Sequence, residues 1–425
     1  MNISVFGLWH LGCVTAACLA ADHSVTGIDD DSSLIESLKQ GRAPVSEKGL
    51  DELIQSHNAK TLRFTTDLSS CAGADLIWIT FDTPVDENDN ADVEFVVEKM
   101  RRVIGFARSG AVVAVSSQLP VGTVRRMMKE ASDAKKNLHF ACIPENLRLG
   151  AAIECFVRAD RYVVGTDSDS AREVLTQVLS PYTANVIYVS PESAEMSKHA
   201  LNCFLALSVV YANEIAAICE RTGADASEVE RCLKADVRIG KGAYLSPGPA
   251  FSGGTLARDA SFLGRISKEK GLGLKVVPSI LAANEEHKFW PVRALKPLRD
   301  SGAARVCVLG LTYKPGTDTL RRSLPLEICA RLREDGWRVC AYDPAVKHLP
   351  DSHAFIDLKQ SAAEAMRDAD ALILLTAWPE FKEMTLQSIP PEKSPAIVDP
   401  AGVWKGWFSG GNARYFSIGR SRGAS

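Results

Sequence analysis

No Cys-x-x-Cys pair and no His/Cys cluster at metal-ligand spacing occurs among the eleven cysteines, which run from Cys13 to Cys340. Zinc-ribbon and dithiol-redox chemistry are thereby excluded, and the thiols read as buried small hydrophobes in a reducing compartment. No uninterrupted apolar run reaches bilayer-spanning length, and no basic segment or signal-cleavage pattern precedes the opening strand Ile3–Phe6. A cytoplasmic location without membrane contact is the expectation. Charge of one sign is also scarce. The 49 Lys+Arg against 52 Asp+Glu leave a net charge of −3, so nucleic acid finds no global attraction, while a local basic pocket for a small phosphate-bearing ligand stays open.

The balance of 46% hydrophobic and 24% charged residues over 425 positions suits two or three globular domains. Short apolar runs alternate with helical stretches: Ile3–Phe6, a helix through Cys13–Ala21, Ser24–Ile28, then Leu76–Thr80, Val112–Ser116, His139–Ile143 and Arg161–Val164. That alternation predicts a doubly wound parallel sheet with helices on both faces. From Pro191 to Glu220 there is no Gly and no further Pro, and apolar residues fill more than one face, which predicts a long, largely buried helix. A second α/β run starts at Arg305–Leu309 and repeats the opening grammar in VCVLGLTYKPGTD, RVCAYDP, ALILLTAW and AIVDP. The predicted architecture is two Rossmann-like α/β domains (1–190 and 296–425) joined by a long central helix and a helical middle domain (191–295). The Gly/Ser/Arg-rich tail Ile418–Ser425 is expected to be disordered.

After the first strand comes Gly7-Leu8-Trp9-His10-Leu11-Gly12, and 22 residues beyond Gly7 the second strand ends in Asp29. A dinucleotide fold needs a tight turn, close backbone approach to the pyrophosphate, tight helix packing and an acid for the ribose. Trp9 replaces the middle glycine, so main-chain N–H groups must serve the phosphates while the indole points away. Asp29 would repel a 2′-phosphate, which favours NAD over NADP. The bland alternative is a strand-to-helix turn of some other α/β protein.

Taken in order, GLWHLGCVTAACLA, LPVGT, IPENLRLG, AEMSKHALNCFLA, NEIAAICERTGAD, PGPAFSGGTLARD, GLTYKPGTDTLRRS, AYDP and TAWPEF resemble the UDP-glucose/GDP-mannose dehydrogenase family over most of the chain. The resemblance implies an NAD domain, a central helix that forms a homodimer, a C-terminal domain that helps bind the nucleotide sugar, and a role in cell-surface polysaccharide synthesis. The family oxidises a sugar alcohol twice, through an aldehyde captured by a cysteine.

Hydride removal requires a proton acceptor and a positive charge near the hydroxyl. Lys198 and Asn202 lie four apart and so share a helix face, and they match the family's Lys and Asn that hold the reacting oxygen. Without the resemblance, Lys198 would read as a snorkelling surface residue. Glu145 in IPENL matches a glutamate that the family uses for general acid/base work in its later steps, or else is a turn acid after Pro144. Asp259 matches an aspartate that orients water, or else is a helix-start acid.

Counting back from Asp259 places Thr255 at the family's cysteine. A threonine hydroxyl is far less acidic than a thiol and needs an adjacent base, and no other cysteine lies between Cys232 and Cys307. Gln118 stands where relatives have a water-positioning Thr, Arg258 replaces a Lys, and VDPAG lacks the relatives' VDxRN arrangement. The resemblance further implies cofactor contacts at Thr83 and Gln118, beside Gly7, Trp9, His10, Leu11, Gly12 and Asp29. It implies substrate contacts at Leu147, Arg238, Phe251, Gly253, Gly254, Lys314 and Arg321, with no metal.

The expected function is one NAD-dependent oxidation of a nucleotide-diphosphate sugar, most simply a UDP-sugar, to an aldehyde or ketone. The competing class is a non-catalytic NAD- or nucleotide-sugar-binding partner or regulatory protein. A 2-hydroxyacid dehydrogenase would leave KPGTDTLR and PGPAFSGG without a role.

Overall fold

The computed structural model describes every residue except 87–90, 253, 322, 385–387, 389–393, 408–413 and 421–425. The chain divides into two compact units, Met1–Ala200 and Leu201–Ser425. This break falls inside the long central helix, whereas the sequence reading placed its boundaries at 190/191 and 295/296.

The first unit carries β1 (Asn2–Phe6), α1 (His10–Leu19), β2 (Ser24–Ile28), α2 (Ser32–Lys39), α3 (Leu50–His57), β3 (Leu62–Thr65), β4 (Leu76–Ile79), α4 (Val93–Phe106), β5 (Val112–Val115), α5 (Thr123–Asp133), β6 (His139–Cys142), α6 (Ala152–Val157), β7 (Tyr162–Gly165), α7 (Asp169–Leu179) and β8 (Val186–Val189). The strand order is β3-β2-β1-β4-β5-β6-β7-β8. Its first six strands have the order of a dinucleotide-binding sheet, with the reversal beside β1. The central strands β4 and β5 are apolar and buried throughout because both faces are covered. Ile3, Val5, Trp78 and Ala114 enter one core, while Phe6, Ile77, Ile79 and Val115 enter the other.

One feature departs from an all-parallel sheet: β7 pairs antiparallel with β6, and β8 runs parallel to β7. The six residues of α6 rise only about 9 Å. The segment between β6 and β7 is therefore too short in helix to return the chain to the opposite edge.

Next comes α8 (Pro191–Thr222), which passes from the first unit into the second. By length and composition it is apolar enough to cross a membrane. Its buried polar residues, Glu195, His199, Asn202 and Asn213, instead each meet a protein partner, as befits a core helix.

In the second unit follow α9 (Ala226–Ala235), α10 (Gly254–Glu269), α11 (Val276–Lys288), α12 (Trp290–Asp300), β9 (Arg305–Leu309), α13 (Leu324–Glu334), β10 (Arg338–Tyr342), β11 (Asp357–Leu358), α14 (Ala362–Met366), β12 (Ala371–Leu374), α15 (Pro379–Glu383), β13 (Ala396–Val398) and β14 (Tyr415–Phe416). The sheet order β11-β10-β9-β12-β13-β14 repeats that of the first six strands, here parallel throughout.

The start of the expected disordered tail is in fact tied down. The Gly419 N–H donates to Glu220, the Ala226 N–H to the Gly419 carbonyl, and Arg420 pairs with Asp225. The rest of that tail, 421–425, lies outside the described residues. Nine of the eleven cysteines are buried as expected, but Cys155 is partly buried and Cys232 is exposed.

Candidate active site

The turn after β1 is closed by main-chain geometry. The Gly7 N–H donates to the Ile28 carbonyl, the Leu8 N–H to Asp29 Oδ2 at 2.7 Å, and Thr80 Oγ1 to the Gly7 carbonyl at 2.7 Å. Gly7 has φ +103°, and a Cβ there would meet Phe81 at 2.8 Å, while one on Gly12 would lie 1.8 Å from the Gly7 carbonyl oxygen. Both glycines are therefore dictated by close packing. Trp9 is the N-cap of α1, extended and 50% exposed, and no side chain caps the first turn. The first-turn N–H groups of α1 are thus left without a side-chain acceptor, as an anion-binding helix start requires. A dinucleotide pyrophosphate fits this cradle, with Asp29 at the β2 end for the ribose. Thr83 and Gln118 are brought together at the ends of β4 and β5, where Thr83 Oγ1 donates to the Gln118 carbonyl at 2.7 Å.

The His10 side chain has a different task. Its Nε2–H donates to Glu47 Oε2 at 3.0 Å, and Glu47 also accepts from the N–H groups of Gly150 at 2.7 Å and Ala152 at 3.1 Å. Burial alone would push the Glu47 carboxyl up, but these donors more than offset it and hold the group below the usual glutamate range. Glu47 went unseen in the sequence because two of its partners are main-chain groups about a hundred residues away.

On α8, Lys198 is no snorkelling residue. Its side chain is 14% exposed, and Nζ donates to the Glu145 carbonyl at 2.6 Å with the Glu145 carboxylate 3.7 Å away. Glu145 is thus drawn to the lysine rather than capping a turn. Leu147, two residues on, packs against the core. Glu195 accepts from the N–H groups of Gly122 at 2.5 Å and Val124 at 2.9 Å, capping α5, and His199 Nε2–H donates to the Leu119 carbonyl at 3.1 Å. Burial raises the Glu195 carboxyl, against the pull of those two N–H groups. Residues 195, 198, 199 and 202 follow i, i+3, i+4, i+7, a polar stripe that periodicity could have exposed.

In the second unit, Asn202 Nδ2 donates to Asp259 Oδ2 at 2.5 Å, and Asp259 is 0% exposed. Asp259 lies well inside α10, so it is not a helix-start acid. Thr255 is exposed near the start of the same helix, one turn before Asp259. Cys203 does pack beside Ala260, but burial and the Asp259 charge push its thiol up, so it is no ready nucleophile.

The PGPAFSGG segment is clamped from two helices. Asn213 on α8 accepts from the Gly248 N–H at 2.9 Å, and His287 on α11 donates to the Gly248 carbonyl at 2.9 Å. Asn284 on α11 pairs with both the N–H and the carbonyl of Phe251 at 3.0 Å. None of these three clamps was singled out from the sequence. Gly254 opens α10, and Gly253 lies outside the described residues. Arg238 is not drawn into this group: it is exposed and forms a bidentate pair with Asp236, two residues earlier.

The second sheet rebuilds the first turn. The Gly310 N–H donates to the Tyr342 carbonyl, the Leu311 N–H to Asp343 Oδ2 at 2.7 Å, and Thr376 Oγ1 to the Thr312 carbonyl at 2.7 Å. Lys314 and Arg321 are both exposed beyond this turn, with Lys314 Nζ 5.9 Å from the Tyr313 ring. They are available to an anionic ligand.

Residues 1–183, 192–286 and 307–406 match, respectively, the NAD binding, central and UDP binding domains of the UDP-glucose/GDP-mannose dehydrogenase family. The chain is 34% identical to the UDP-glucose 6-dehydrogenase of Rhizobium meliloti (strain 1021), covering 99% of this chain and 100% of that protein. It is also 34% identical to UDP-glucose 6-dehydrogenase TuaD of Bacillus subtilis (strain 168), over 94% of this chain and 88% of the relative. A solved UDP-glucose dehydrogenase from the archaeon Pyrobaculum islandicum superposes with a TM-score of 0.83 at 29% identity, covering 99% and 98% of the two chains. With the uncapped glycine turn, the polar face of α8 and full-length likeness all in agreement, this chain belongs to the UDP-glucose/GDP-mannose dehydrogenase family.

Proposed function

We propose that this nucleotide-sugar dehydrogenase uses NAD to oxidise a UDP-sugar alcohol in one two-electron step, releasing an aldehyde or ketone. The observation that carries the reading is the face of α8. Lys198 is held against Glu145, and one helical turn later Asn202 is fixed by buried Asp259. Bound NAD supplies the hydride acceptor. The Lys198 ammonium stabilises the developing alkoxide, and the oriented Asn202 amide positions the same oxygen. The Glu145 carboxylate, 3.7 Å from Lys198 Nζ, takes the alcohol proton. Electrons and atoms balance as one hydride and one proton removed from one carbinol.

The restriction to one step rests on Thr255, which lacks the acidity to trap an aldehyde covalently. Lys314, Arg321 and the clamped loop around Phe251 are proposed to hold the nucleotide and sugar. We place the enzyme in the cytoplasm, in polysaccharide precursor synthesis, with functional parts at 1–190, 191–295 and 296–425. A homodimer through α8 is supported by Phe204, Tyr211 and Ile218, exposed apolar residues at seven-residue spacing along one face.

The test is NADH formation from NAD with UDP-glucose and a panel of other nucleotide sugars, with mass analysis of the product. A product lighter by two hydrogens and without added oxygen is expected. A uronic acid would overturn the one-step reading. Tight binding of both ligands without turnover across the panel would favour a non-catalytic partner.

A further inference from the structure

Three acids in succession, Asp29, Asp30 and Asp31, link β2 to α2. Two are occupied locally. Asp29 receives the Leu8 and Asp31 N–H groups, and Asp31 caps α2 through the N–H groups of Ser33 and Leu34. Asp30 turns instead to α4. Arg102 binds it with two parallel bonds, Nη1 to Oδ2 at 2.6 Å and Nη2 to Oδ1 at 2.8 Å, and Lys99 Nζ lies 2.5 Å from Oδ2.

These cations sit on the aromatic rings that flank the glycine turn. Lys99 Nζ is 5.3 Å from the Phe81 ring centre and 4.9 Å from that of Phe95, while the Arg102 guanidinium carbon is 5.7 Å from that of Phe6. Phe6 directly precedes Gly7, and the Phe81 ring is what a Cβ on Gly7 would strike. Two positive charges are therefore held at the edge of the dinucleotide crevice, next to the acid that meets the ribose.

In this fold the residue at the end of β2 reads the adenosine ribose, and a nearby arginine is what accommodates a 2′-phosphate. This chain carries such an arginine, and a lysine besides, but both are spent on Asp30. We propose that Asp30 is a second cofactor-selectivity residue, which locks Lys99 and Arg102 away from the ribose so that their charge is withheld from a 2′-phosphate. Asp29 excludes NADP by repulsion, and Asp30 does so by sequestering the attraction. The lock is durable because the Arg102 hydrogen bonds, helped by Lys99, hold the Asp30 carboxyl down to about 2 despite partial burial.

The inference rests on the NAD reading above, and the experiment separates the two. NADH and NADPH affinities are measured by nucleotide fluorescence on the full chain, for the wild type and for Asp30→Asn, Asp30→Glu and Asp30→Asn/Arg102→Gln. If the wild type binds neither nucleotide, the cofactor reading itself has failed. With NADH bound, Asp30→Asn is expected to gain about tenfold or more in NADPH affinity, roughly one charge-assisted phosphate contact. That gain should shrink with added salt and disappear in the double variant. Asp30→Glu, which still reaches both cations, should keep wild-type selectivity. Unchanged NADPH affinity with NADH binding retained, or a parallel loss of both, would reduce Asp30 to a tether between β2 and α4 and overturn the proposal.

Discussion

Replacing Glu47 by Gln changes little in shape and much in hydrogen bonding. The wild-type side chain is 1% exposed, with Oε2 accepting from Gly150 and His10 and Oε1 from Ala152. A glutamine must turn its NH₂ toward donors on one side or the other. The less costly orientation faces Ala152, leaving one buried N–H without an acceptor and stripping the charge from the other two bonds. An unsatisfied buried donor costs about 1–3 kcal/mol, and a charged acceptor exceeds a neutral one by roughly 1 kcal/mol per bond. Glu47→Gln should therefore destabilise by about 3–5 kcal/mol on those figures. Since the same change weakens the tie to His10 in the cofactor turn and releases the Ala152 N–H in the segment that follows Glu145, NADH affinity and kcat should both fall.

Urea denaturation followed by tryptophan fluorescence, paired with NADH titration, measures both. The pH dependence carries a sign. Because the folded carboxyl is held below its ordinary 4.5, its contribution is present above that value and is lost as pH falls beneath it. The gap between wild type and variant should narrow on acidification through that range. A stability loss below about 0.5 kcal/mol, the level of an ordinary surface change, together with unaltered NADH affinity, would refute the reasoning.

Three further outcomes follow from the second unit. Thr255→Cys should raise the yield from one NADH per sugar to two and turn the product into an acid; one NADH from both proteins would show that the thiol alone does not restore the second step. Asn284→Ala removes both bonds to Phe251 and should cost about 2–4 kcal/mol, raising KM for the nucleotide sugar more than it lowers kcat. An unchanged KM would mean that the loop is not a substrate element. His287, which burial holds below its usual 6.5, contributes stability fully present above that value and lost as pH falls below it, because the unfolded chain takes up the proton first. His287→Gln, still able to donate to Gly248, should flatten that part of the stability profile; an identical acid decline in both proteins would assign the decline elsewhere.

What could be read in advance follows from the range of the forces involved. Strands buried on both faces, such as β4 and β5, announce themselves as continuous apolar runs; β2 and β9 match their expected bounds residue for residue, and the other strands named in the first sheet differ by one at one end or both. The edge strands β3, β11 and β14 are two to four residues long and carry no such signal. Lys198 and Glu145 were both named, but only through family likeness, since nothing in a local window links residues 53 apart. Glu195, Asn213 and Asn284 were missed for the same reason: their partners are main-chain groups of distant loops. Arg238, also named through family likeness, shows a local partner instead. Asp236, two positions upstream, captures its guanidinium, and that short-range pair was legible.

The repeated turn raises the question of why a cofactor should choose the first copy. Both copies close a glycine turn with an aspartate at the end of the second strand, so topology alone does not decide. Hydrogen-bond capacity does. Asp343 is 1% exposed; its Oδ2 accepts from Leu311, Thr312 twice and Trp378, and its Oδ1 accepts from Ala345. A carboxylate oxygen has about two lone-pair sites, so Oδ2 has none to offer a ribose, and Oδ1, already bonded to Ala345, is shut away with it in a residue only 1% exposed. Asp29 receives a single N–H on each oxygen and is only partly buried. The same fold has thus been used twice, once with its acid left available to a ligand and once with its acid consumed as internal structure. In the second copy, Lys314 and Arg321 stand exposed beyond the turn, and their charge, unlike that of the buried Asp343, remains open to a ligand.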